Sequence, residues 1–172
     1  MPAPAADRVT DPAGAAAPSP SGASGPKINP LTGLSTDYLN HFTEAVMLLE
    51  LAGAMPECVD DLRAWRPKTY AAHFAASHFS NRDAIVAAYR AADPAVRGAL
   101  DRNAELLNAL AERSRDLLCQ QTDRTEIEAI ARRAVERLRP LIARTAALIN
   151  GTVVDAAGRQ GPQAAIDAMF AR

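Results

Sequence analysis

The side chains best suited to chemistry in this chain are its three histidines, His41, His73 and His78, together with Tyr38, Glu44, Trp65 and Tyr70. Metal binding is the first chemistry to consider. Two ligands on one helix must be three or four residues apart to share a face, and His41 with Glu44 meets that condition. His73 and His78 are five residues apart and so diverge by about 140° on a helix. Three histidines arriving from separate helices can still surround one ion, so a metal set of His41, Glu44, His73 and His78 is the alternative reading of this region. Neither a Glu-x-x-His pair nor HExxH occurs.

Nucleophilic catalysis finds less support. GxSxG is absent, the one SxxK match (Ser24 to Lys27) falls in the Pro/Gly/Ser-rich N-terminal stretch, and Cys58 and Cys119 stand singly with no CxxC. The nine glycines mark turns, tails and caps and form no phosphate loop. Seven of the eight aromatics and all three histidines lie between Tyr38 and Tyr89. Any binding pocket therefore belongs to that half, with Tyr38, His41, Trp65, Tyr70, His73 and His78 as its candidates. The plainer role for the aromatic rings is to fill the wide end of a core. For the histidines it is a bond to a main-chain carbonyl or a carboxylate. No cofactor is expected.

The element that positions the first of these groups is the stretch Leu34 to Gly53. Ser35 or Thr36 caps it, Asp37 sits favourably in its first turn, and Gly53 supplies the residue after its end. Tyr38, Phe42, Ala45, Leu49 and Ala52 follow a 4-3-4-3 spacing that lines one helical face. His41 falls about 60° off that stripe. Met47 and Leu51 fall nearly opposite it, so the second half of the helix is apolar almost all round. Such a helix is enclosed by its neighbours or presses on a second subunit, and enclosure is the plainer expectation.

Two long helices follow the aromatic half. Asp93-Pro94 is a cap followed by proline in the first turn, and the stripe behind it is Leu100, Ala104, Leu107, Ala111, Ser114, Leu118. Asp123 with Glu126 opens the next, whose stripe Ile127, Ala131, Ala134, Leu138, Leu141, Thr145, Leu148 keeps its phase across Pro140. The short connection between them predicts an antiparallel hairpin. Between Gly53 and Asp93 the breaks at Pro56 and Trp65-Arg66-Pro67, the cap at Thr69 and the Ser80–Asp83 capping box delimit three short helices. Asn150-Gly151 ends the last long helix, and Pro162 opens a short terminal one bearing Ile166, Met169 and Phe170.

The expected fold is all-α. Two long antiparallel helices, about 94–119 and 124–150, pack on shorter ones at about 36–52, 56–64, 69–77 and 81–92. Residues 31–172 form one domain. Residues 1–30 hold seven of the twelve prolines and no apolar period, and are read as a disordered tail. A net charge of −1 argues against nucleic acid as a partner. The arginines of the last long helix are interleaved with Glu126, Glu128 and Glu136, as on a solvated, salt-bridged face. No run reaches the length of a membrane span, no signal peptide is visible, and the unpaired cysteines suit a reducing compartment, so a cytoplasmic location is expected. The preponderance of arginine over lysine, with abundant alanine, suits a GC-rich bacterial genome.

These features favour a non-enzymatic helical interaction or regulatory protein that binds a protein partner or itself. The alternatives are a metal- or small-molecule-binding bundle, with or without enzymatic activity, and an amphipathic coat on a lipid or polymer surface.

Overall fold

The computed structural model describes residues 27–55, 57 and 59–152, and those residues contain helices and no strand. The chain enters through a tight turn in which Asn29 Oδ1 accepts from the Leu31 and Thr32 amides. Ile28 is half-buried against the core, so the folded body takes in residues that the sequence assigns to the tail. Gly33 has a φ of 70°, which a side chain would resist. Thr32 Oγ1 then donates to the Ile149 carbonyl at 2.6 Å, joining this turn to the far end of the chain's last helix.

The first helical stretch begins as a single 3-10 turn, Thr36–Leu39, whose Asp37 amide donates to the Ser35 hydroxyl. It continues as α1, Asn40–Ala54. The predicted stripe is buried throughout, with Tyr38, Phe42, Leu49 and Ala52 at 0% exposure and Ala45 at 1%. Gly53 does not end the helix as expected. It lies within α1, buried, against Ala131 of α6 (Arg124–Ile149). A glycine at a helix end and a glycine admitting a neighbour look alike in sequence, and here the second requirement holds. Enclosure of α1 is also overturned: Met47 is 59% exposed and Met55 42%, with Leu51 between them half-buried.

The short helices are α2, Val59–Ala64, α3, Tyr70–Ala75, and α4, Arg82–Ala91. Thr69 caps α3 through the Ala72 amide, as its position suggests. The Ser80 capping box does not form. The helix instead takes Asn81 as its cap, and its first turn closes on the Phe79 and Asn81 carbonyls.

The long helices are α5, Pro94–Cys119, and α6. Asp93 accepts from the Ala95 and Val96 amides, and Asp123 from the Glu126 amide, each relieving donors at a helix start. The α5 stripe is buried from Leu100 to Leu118. The α6 stripe is buried except at half-exposed Leu141, and the helix runs unbroken through Pro140 on its exposed side. Gly151, at φ 74°, ends it as expected. Helices α5 and α6 pack as the predicted hairpin. The α1 helix packs on α6 in the opposite sense, because Arg124 at the start of α6 reaches the Ala54 carbonyl at the end of α1. No helix of the described residues is long and apolar enough to cross a membrane. The terminal helix expected after Pro162, and Cys58, lie outside the described residues.

Candidate functional site

The aromatic half converges on one packed cluster. Tyr38 meets Phe42, Tyr70 and His73 edge-on, with ring centroids 5.2, 5.2 and 5.6 Å apart. His41 stacks on Trp65 at 4.8 Å and lies 6.0 Å from His73. Tyr70 stacks on Tyr89 at 4.8 Å. Five of the six expected pocket residues (Tyr38, His41, Trp65, Tyr70 and His73) therefore meet. His78 does not join them: it is exposed and belongs to none of these ring contacts. Glu44 shares a helix with His41 but is exposed, one turn away on the outer side. Among the described residues, no three His, Cys, Asp or Glu side chains gather as a metal would require.

His41 differs from its expected role. It is 3% exposed, and neither ring nitrogen has a hydrogen-bond partner among the described residues. Its main-chain carbonyl, and not its ring, is bonded, accepting from the Trp65 indole at 3.4 Å. Burial, then the Lys68 charge, then His73 lower its pKa to about 4. The ring is neutral at pH 7. His73 is lowered chiefly by burial and then by Lys68, against the opposing pull of Asp37 and Glu44. The tyrosines shift the other way. Burial pushes Tyr38 well above the ordinary phenol range and Tyr70 up to about 12. Burial also raises Tyr89 to about 12, reinforced by its bond to Asp101. None of these hydroxyls is poised to ionise near neutrality.

What holds the cluster in place is a row of polar side chains on α5. Asp101 accepts from the Tyr89 hydroxyl at 2.7 Å, Asn108 donates to the Lys68 carbonyl at 3.2 Å, and Arg115 donates to the Trp65 carbonyl at 3.0 Å. The Lys68 carbonyl also accepts from the Tyr38 hydroxyl at 2.7 Å, and Tyr70 takes the Ser35 amide at 2.7 Å. Sequence reasoning misses these anchors, although a signal for them exists: positions 101, 108 and 115 repeat every seven residues, which keeps them on one side of a helix.

Open space on the surface lies elsewhere. An open groove of about 530 Å³ runs between the end of α1 and the first half of α6. Ala131 and Val135 of α6 and Gly53 and Ala54 of α1 give it an apolar lining, and Glu50, Arg124, Glu128, Arg132 and Glu136 supply its charges. A second groove beside Arg63, Arg66 and Arg115 is edged by half-buried Cys119. Compared with known proteins, the chain matches no protein-family model, no curated protein and no solved structure.

Proposed function

We propose that this chain is a non-enzymatic helical interaction protein that associates with copies of itself. The observation that carries the reading is the run of Met47 and Leu51 on α1, continued by Met55 at its C-terminal cap. Its two methionines are exposed, and it borders the α1 residues of the groove. Large apolar side chains at four-residue intervals form a continuous face, and methionine's flexible thioether adapts to a partner surface. The aromatic cluster supports the same reading from the other side. Its hydroxyls are held protonated, and its rings bond main-chain groups that fix the fold. Light scattering on the full chain during size exclusion tests the proposal. A dimer or larger species at micromolar concentration is expected, and a strict monomer would overturn it.

One observation favours a second reading, a metal or small ligand at His41 and His73. Buried polar groups are normally bonded, and the two His41 nitrogens are not. That reading predicts stoichiometric metal in untagged protein. Metal-free protein whose melting is unmoved by a chelator would remove the metal form of it.

A further inference from the structure

Four exposed charged residues of α6 line the groove at four-residue intervals: Arg124, Glu128, Arg132 and Glu136. Side chains four apart form a continuous ridge on a helix, and such ridges are what helices interdigitate when they pack. The order along this ridge is plus, minus, plus, minus. Read backwards it is minus, plus, minus, plus. Two identical ridges laid antiparallel about a twofold axis midway between Glu128 and Arg132 therefore set opposite charges against each other at every step. Arg124 meets the Glu136 position of the second copy, and Glu128 meets its Arg132 position. A twofold interface demands a patch that is its own complement, and this ridge is one.

The ridge is only partly satisfied within the chain. Arg124 Nε lies 3.1 Å from Glu128 Oε1, and Glu50 of α1 is paired with Arg139 of α6 at 2.7 Å. Arg132 and Glu136 have no ion-pair partner among the described residues. Below the ridge, Ala131 and Val135 continue the apolar lining, and on the far wall Ala54 shares a helical face with exposed Met47. Charges on the rim with apolar atoms at the centre is the arrangement of protein interfaces.

We propose that the groove between α1 and α6 is a homodimer surface, occupied by the α6 ridge of a second copy in antiparallel, twofold register. This deepens the self-association proposed above and rests on it.

Charge reversal in the full chain tests both the occupant and the register. In Glu128→Arg the new arginine would face Arg132 of the second copy, and in Arg132→Glu the new glutamate would face Glu128. Each single variant should weaken dimerisation at least about tenfold, measured by sedimentation equilibrium. An equimolar mixture of the two should form a heterodimer, and the double variant E128R/R132E should dimerise like the parent. Far-UV circular dichroism and melting curves confirm that the exposed substitutions leave the helices folded. Single variants that dimerise as the parent does would overturn this surface while leaving self-association standing on another face. A monomeric parent would overturn both. If that monomer dimerised once Ile166, Met169 and Phe170 were changed together to serine, the groove would belong to the chain's own C-terminal segment. If it did not, the groove would be left to a different protein.

Discussion

The His41 ring lies flat on the Trp65 indole, with centroids 4.8 Å and planes 17° apart, and the indole nitrogen bonds the His41 carbonyl. Two residues 24 positions apart thus close the aromatic end of the core. The stack also withdraws the imidazole from water without giving its nitrogens a partner.

That withdrawal makes stability depend on pH. His41 titrates near 6.5 when exposed and at about 4 when folded. Between those values the unfolded chain binds more protons than the folded one, so stability must fall as the pH falls. The slope is at most about 1.4 kcal/mol per pH unit for one group, and His73, lowered in the same direction, adds to it. Phenylalanine at 41 keeps the stack and removes the titration. Urea midpoints at pH 7 and pH 5 should therefore converge in H41F, with His73 leaving a residual difference. An unchanged gap would show that other groups govern the acid limb.

The contact between α1 and α6 gives a second prediction. A β-carbon on Gly53 would stand 2.7 Å from that of Ala131. Alanine is favoured over glycine inside a helix by about 1 kcal/mol, yet here the overlap should win. We expect G53A to lose about 1–3 kcal/mol, as overpacked cores do. Adding A131G should return part of that loss. A double-mutant cycle in urea reads the coupling, and additive effects would mean that the two helices part without strain.

The α5 anchors lead to a third. Removing Asn108 or Arg115 takes from the Lys68 or Trp65 carbonyl one of its two side-chain donors, leaving the Tyr38 hydroxyl or the Arg66 guanidinium, and should cost at most about 1 kcal/mol each. The loss should be local. Hydrogen exchange should quicken in α2 to α4 and stay slow in the centres of α5 and α6. Uniform quickening across all six helices would show that the segment and the hairpin open together.

Asp93 accepts from two amides at the start of α5, and alanine there should cost about 1 kcal/mol in thermal or urea unfolding, whereas asparagine should cost much less.

Much of this architecture is legible in the order of residues alone. The 4-3-4-3 stripes of α1, α5 and α6 are local properties of the chain, as are the caps at Asp93, Thr69 and Asp123, and each forms where the spacing puts it. What sequence reasoning misses depends on partners distant along the chain. Gly53 reads as a helix end until Ala131 arrives beside it. His41 reads as a boundary residue until Trp65 covers it. Met47 reads as enclosed because nothing local says that the short helices gather on the other side of α1. The candidate site divides in the same way: composition locates the cluster, but only the fold separates His78 and Glu44 from it.

The α5 anchors have one more consequence. Two of the three grasp main-chain carbonyls, those of Trp65 and Lys68, which every amino acid possesses. The grip on that connection is therefore indifferent to the side chain at position 68, whose own group is exposed. A label, a cysteine or an enlarged polar residue could be installed at position 68 while the backbone keeps its seat, which would give a reporter beside His41 that leaves its neighbours in place.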